Sequence, residues 1–144
     1  METQTKPVMV KQTFHASADR VWQALTDNRK MKQWYFDMPA FKAEPGFEFQ
    51  FYGSKDDKKY LHLCKVIEVI PERKLVHTWK YKDYPGNSMV SFELFPEGKQ
   101  TMVRVTHEGL ETFPQDNGDF AAENFTGGWT AILGKSLKNF LESE

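Results

Sequence analysis

The stretch from Asp119 to Glu142, DFAAENFTGGWTAILGKSLKNFLE, decides how the rest of the chain is read. Phe125, Trp129, Ile132, Leu133, Leu137, Phe140 and Leu141 recur at helical spacing and predict one apolar face, while Lys135, Lys138, Asn139 and Glu142 fall on the other. At 1.5 Å rise per residue such a helix is about 36 Å long, enough to cross a small domain. It carries Gly127, Gly128 and Gly134, each costing about 1 kcal/mol against alanine inside a helix. A helix that accepts that cost is expected to need a close approach, a bend or room beside it. Two readings follow: a plain core helix, or one wall of a ligand cavity whose depth Gly128 sets.

Ahead of the helix the chain reads as hairpins. Val8 to His15 is a first strand with Val8, Val10, Gln12 and Phe14 on one side. Ser17 is a candidate N-cap for a short helix bearing Val21, Trp22 and Leu25. Asp27 caps a second one bearing Met31 and Trp34. Pro39 to Glu44 is a short strand candidate, and Phe47, Phe49 and Phe51 share a face of the next. A charged hairpin tip, 53–58, leads into Tyr60–Ile70, where both faces carry apolar residues and alternation leaves the inner side open. Leu75, His77, Trp79 and Tyr81 align, as do Val90, Phe92 and Leu94, and then Thr101, Val103, Val105 and His107. Pro71-Glu72-Arg73, Tyr84-Pro85-Gly86-Asn87 and Pro96-Glu97-Gly98-Lys99 are the turns between them. Short turns imply antiparallel pairing, and segregated helices and strands imply an α+β fold. The expected architecture is a twisted antiparallel sheet of about seven strands wrapped around the terminal helix.

The 144 residues suit one domain, 1–144, with 1–6 frayed. A net charge of -1 offers no field for nucleic acid, and the clustered lysines are interleaved with acids or sit at a hairpin tip. A single cysteine, Cys64, forbids an intrachain disulfide. No apolar run approaches the ~18 residues of a membrane span, and METQTKPVMV lacks the features of a signal peptide. A cytoplasmic protein without membrane insertion is expected.

Four segments, in order, resemble one family. Val21–Trp34 (VWQALTDNRKMKQW), Val66–Trp79 (VIEVIPERKLVHTW), Val103–Leu110 (VRVTHEGL) and Gly127–Glu142 (GGWTAILGKSLKNFLE) are similar to the activator-of-heat-shock-protein-90-ATPase homologue domains. These belong to the SRPBCC superfamily, with the START lipid-transfer and birch-pollen-allergen folds. The resemblance implies a helix-grip fold. It also implies a cavity between helix and sheet, in which superfamily members carry lipids, sterols, polyketides or plant hormones, and a few act as enzymes. The family name comes from eukaryotic co-chaperones that carry a separate chaperone-binding domain, for which this chain is expected to have no room.

For chemistry, the histidines are His15, His62, His77 and His107. No HExxH and no cysteine pair is present, so no metal is expected. His62 and Cys64 share a strand face, a spacing awkward for a thiolate–imidazole bond. His77, Glu93, His107 and Glu123 are the candidates for acid–base work. No Gly-rich phosphate loop is found, and no cofactor is expected. The strongest signal is aromatic. Trp34, Tyr35, Phe49, Phe51, His77, Trp79, Phe125, Gly128, Trp129 and Leu133 are the predicted ligand-binding residues, with Trp34-Tyr35-Phe36 as the rim. The leading expectation is a non-enzymatic binder of a small hydrophobic or aromatic molecule, as monomer or homodimer. The alternatives are a co-chaperone-like partner of a chaperone ATPase and a small cyclase- or hydrolase-type enzyme.

Overall fold

The computed structural model describes residues 7–35, 40–55, 58–114 and 120–143. Residues 1–6, Phe36, Pro39, the hairpin tip at Asp56 and Asp57, and Asp119 lie outside them. The strands are β1 (Val8–Phe14), β2 (Glu48–Lys55), β3 (Lys58–Ile70), β4 (Lys74–Tyr81), β5 (Ser88–Glu97) and β6 (Gln100–Glu108). They form one antiparallel sheet in the order β1-β6-β5-β4-β3-β2. Helices α1 (Ala18–Thr26) and α2 (Asn28–Trp34) follow β1. The C-terminal helix runs as α3 (Ala122–Ala131), a π-helical stretch (Ile132–Leu137) and α4 (Lys138–Ser143).

The α+β architecture is the expected one, with six strands rather than about seven. The missing strand is the one expected at 39–44. Phe41 is buried there, its ring 5.0 Å from Phe49 and 6.3 Å from Phe47. The backbone does not follow: Glu44 N–H turns back to Lys42 O at 2.9 Å. Burying one ring anchors a segment without giving it a ladder partner, and a strand needs the ladder.

Both short helices start where their caps predict. Ser17 Oγ accepts from Arg20 N–H and Asp27 Oδ1 from Arg29 N–H, at 3.3 and 2.9 Å. Val21, Ala24 and Leu25 of α1 and Met31 and Trp34 of α2 are buried. Trp34 Nε1–H donates to Ala24 O at 2.8 Å, which pins α2 to α1. Arg20 Nη2 donates to Leu141 O at 2.7 Å, so α1 also caps the end of the C-terminal helix with a cation, the sign the helix dipole favours there.

Strand β3 shows why its faces were ambiguous. Tyr60, His62, Cys64 and Val66 point inward and are buried. A bulge then breaks the register between Val66 and Glu68. An extra residue flips the parity of everything beyond it. Val69 therefore packs on the core, and Ile67 and Ile70 end up outside, each 44% exposed.

The helix has a similar device. Its buried residues, Phe125, Trp129, Leu133, Leu137 and Leu141, are spaced four apart throughout. In a uniform α-helix that spacing drifts by about 40° per step and would carry Leu141 well round from Phe125. The wider turn at Ile132–Leu137 winds back part of that drift, and one continuous stripe faces the sheet.

Two loops are clamped together at the end of the sheet near the helix start. Gly86 (φ 112°) and Gly109 (φ 85°) sit where a Cβ would come within 2.5 Å of Thr112 O and 2.9 Å of Asn87 O. Thr112 Oγ1 completes the clamp, accepting from Asn87 N–H and donating to Gly109 O. This holds Leu110 and Phe113 in the core.

Candidate functional site

The inner face of β2 to β6 is a wall of rings. Phe49 lies edge-on to His77 at 5.1 Å, Phe51 stacks on His62 at 4.6 Å, and Phe51 meets Trp79 at 5.6 Å. From the helix, Trp129 reaches Trp79 at 5.5 Å and Phe92 at 5.7 Å. Between wall and helix lies Tyr35, the residue that ends α2. Its ring stacks on Trp129 (6.3 Å, 24°) and touches Trp34, Phe51 and Phe92 at 5.0, 6.0 and 6.5 Å. The residue as a whole is half-buried, but its phenol oxygen is fully inside. Burial raises the phenol pKa well above its ordinary value, so it stays protonated.

Three buried histidines are set into this wall, and their hydrogen bonds fix their tautomers. His62 Nδ1 is 3.0 Å from Tyr60 O, and His77 Nδ1 is 2.8 Å from Thr78 O. A carbonyl only accepts, so both rings carry the proton on Nδ1. His107 is the reverse. Trp129 Nε1–H donates to its Nδ1 at 3.1 Å, so Nδ1 is bare and the proton sits on Nε2. Nε2–H then donates to Ser88 Oγ at 2.8 Å, and Ser88 O–H donates to Trp79 O at 2.6 Å. The chain of donors runs in one direction, from the helix through β6 and β5 to β4. Burial pushes the His62 and His77 pKa values down to about 4, and burial with its two neighbours pushes His107 to about 3. All three imidazoles are neutral at pH 7.

That direction matters for catalysis. Ser88 and His107 are at hydrogen-bond distance, as in a nucleophile–base pair. Yet Nε2 already holds a proton and the serine proton is spent on a carbonyl, so this pair does not activate the hydroxyl. The expected acid–base set is not brought together either. Glu93 lies on the opposite face, held by Arg104 at 2.8 Å, and Glu123 is exposed at the start of α3. Cys64 makes no hydrogen bond to His62, and burial pushes its thiol pKa up, which keeps it protonated and unreactive. Among the described residues, no three His, Cys, Asp or Glu side chains group to hold a metal ion.

Of the ten predicted residues, Trp34, Tyr35, Phe49, Phe51, His77, Trp79 and Trp129 form one ring network. Phe125 joins it through His107, 4.9 Å away, and Leu133 is buried on the same helix stripe. Gly128 is a correction. It lies exposed on the outer side of the helix, and a Cβ there would meet no atom within 4 Å. Gly127 is the same: it lies about 160° round the helix from both Phe125 and Trp129, and Gly128 about 60° and 100° from them. Neither glycine sets the depth of the interior. Sequence reasoning missed Phe92, His107 as a partner of Trp129, and Ser88, the first residue of β5. It also missed Phe41, Phe113 and Phe120 as part of the buried aromatic cluster.

Among the described residues, the space expected to hold a ligand is small. The void bounded by Leu25, Met31, Tyr35, Phe49, His77 and Phe92 measures about 10 Å³, room for roughly one water. Tyr35 and Trp129 take up the rest. A larger depression, about 600 Å³, is on the other side of the sheet.

Comparison with known proteins bears on both the fold and the family. The family model described as "Activator of Hsp90 ATPase homolog 1-like protein" matches residues 15–142. Protein MLL2253 from Mesorhizobium loti superposes with a TM-score of 0.80 at 25% identity, covering 96% of this chain and 98% of that one. Protein CV1439 from Chromobacterium violaceum gives 0.81 at 19%, covering 95% and 97%. The Aha1 dimer from Colwellia psychrerythraea gives 0.69 at 22%, covering 94% and 95%. No curated protein is similar enough to count as a match.

Proposed function

Since the chain belongs to the activator of Hsp90 ATPase homolog 1-like family, we propose that it binds a small hydrophobic or aromatic molecule between the C-terminal helix and the inner sheet face. The observation that carries this reading is Tyr35. A flat side chain fills a flat slot, stacked on Trp129 and edged by Trp34, Phe51 and Phe92. A slot that takes a phenol ring takes an aromatic ligand of the same thickness. Tyr35 sits just past the helix, at φ -113° and ψ -112°, a conformation neither helical nor extended. It is the side chain that yields when a ligand enters. Phe49, Trp79 and Leu133 complete the apolar wall, and Phe125 flanks it. His77 adds one polar anchor: with Nδ1 given to Thr78 O, its Nε2 is left as an acceptor for a ligand hydroxyl or amine.

The test is native mass spectrometry after incubation with lipid and aromatic extracts. The wild-type protein is expected to retain a small molecule, and Tyr35→Ala to retain more of it, because the slot opens. Absence of any bound species in both proteins would end this reading.

A second reading rests on the family description and on the fold likeness to the Aha1 dimer. It is a co-chaperone-like interaction with a heat-shock-protein-90 ATPase, by a monomer or a homodimer. Adding the protein to such an ATPase and finding an unchanged rate would remove it.

A further inference from the structure

The depression of about 600 Å³ on the outer face lies across β2, β3 and β4. The outward-facing residues of its lining include Glu48, Gln50, Leu63, Lys65, Thr78 and Lys80. It has a cause in the backbone. The β3–β4 ladder pairs Leu63 with Lys80 and resumes at Val66 with His77. Between those pairs Lys65 N–H bonds to the side chain of Thr78, at 2.9 Å to Oγ1. A hydroxyl inserted where a carbonyl belongs spreads the two strands and leaves a trough.

The trough is cationic in a chain whose net charge is -1. Lys65 and Lys80 are both exposed, and neither is among the ion-paired residues described. Glu48, cross-strand from Lys65, is the one acid in the wall. Apolar surface adjoins the charges. Leu63 is half-exposed in the wall, Tyr52 on the edge strand is 64% exposed, and Met89, paired with Thr78, is 39% exposed. The trough lies on the exposed face of the sheet and not between sheet and helix. It fits an extended chain.

We propose that this outer trough docks an acidic, extended segment of another protein. Lys65 and Lys80 pair with its carboxylates, while Leu63 in the wall and Met89 beside Thr78 receive its apolar side chains. A nucleic acid is disfavoured because two lysines set against Glu48 are too few cations for a dense run of phosphates. The site lies on the opposite side of the sheet from the ring-lined interior and stands independently of any ligand bound there.

The experiment is an amide-resolved NMR titration with a short synthetic peptide alternating glutamate and valine, and with its lysine–valine counterpart. Saturable shifts are expected at Glu48, Gln50, Leu63, Lys65, Thr78 and Lys80 with the acidic peptide only. Lys65→Glu with Lys80→Glu should weaken binding by about tenfold or more, and added salt should weaken it too. Glu48→Gln should tighten it. Both substituted lysines are exposed, so the fold should survive, which circular dichroism checks. Three results would each overturn the proposal: no shifts in the trough, equal binding of the basic peptide, or affinity unchanged in the charge-reversed protein. Binding of a DNA oligonucleotide at the same residues in place of the acidic peptide would also overturn it.

Discussion

His62, His77 and His107 are the residues whose chemistry the fold alters most. Each is buried neutral, with a pKa of about 4, 4 and 3 against an ordinary 6.5. In the unfolded chain they take up protons as the pH falls through 6.5; in the folded chain they do not until near 4. Between those limits the unfolded state binds more protons, so stability is full above pH 6.5 and falls as the pH drops. At about 1.4 kcal/mol per proton and pH unit, three histidines remove of order 4 kcal/mol by roughly pH 5.5. That is a large part of the ~5–15 kcal/mol a domain has. Denaturant unfolding at pH 7.5 and 5.5 is the check: a marked loss is expected, and equal stabilities would mean the rings are charged or solvated. The sequence placed His77 and His107 on buried faces by alternation alone. It did not disclose that His107 is spent between Trp129 and Ser88. A donor chain crossing from helix to three strands depends on which residues the register sets side by side, and no local pattern carries that.

The C-terminal helix was legible as an element and misleading in its details. Its apolar stripe was predicted, as was its place over the sheet. Its glycines were read as signs of a close approach, a bend or room beside the helix, and it is room that Gly127 and Gly128 have, on the exposed side and not toward the interior. Periodicity locates a face only as well as the turn is uniform, and the π-helical stretch at Ile132–Leu137 is a departure that hydrophobic spacing alone does not flag. The open space makes a prediction of opposite sign to that of a cavity-setting glycine. Gly128→Ala adds a methyl that meets nothing and removes backbone freedom from the unfolded chain. Stability should rise by about 1 kcal/mol, read as a higher denaturant midpoint, with retention of any small molecule unchanged. A loss of that molecule on substitution would restore the glycine to the site. β3 taught the same lesson, since one bulge after Val66 exchanges the faces and makes an amphipathic strand read as apolar on both sides.

At the scale of the whole molecule, the order β1-β6-β5-β4-β3-β2 contains four hairpins and one pairing between the first strand and the last. Alternation in the sequence exposed the hairpins; the β1–β6 pairing was beyond it, because nothing local records a contact spanning most of the chain. Val8 lies opposite His107, and Phe14 opposite Thr101. This has a consequence in time. Closing a long loop costs entropy before any contact rewards it, so local hairpins form ahead of distant pairs. β1 is expected to join a meander already folded, carrying α1 with it and, through Arg20 and Leu141, the last turn of the C-terminal helix. Stopped-flow folding of two large-to-small variants separates the order. Val90→Ala, in the β4–β5 hairpin, should slow folding, whereas Val8→Ala should chiefly speed unfolding. If both act on the folding limb alike, the first strand belongs to the nucleus. If they differ as expected, the N-terminal strand is the last piece fastened and the first to come loose.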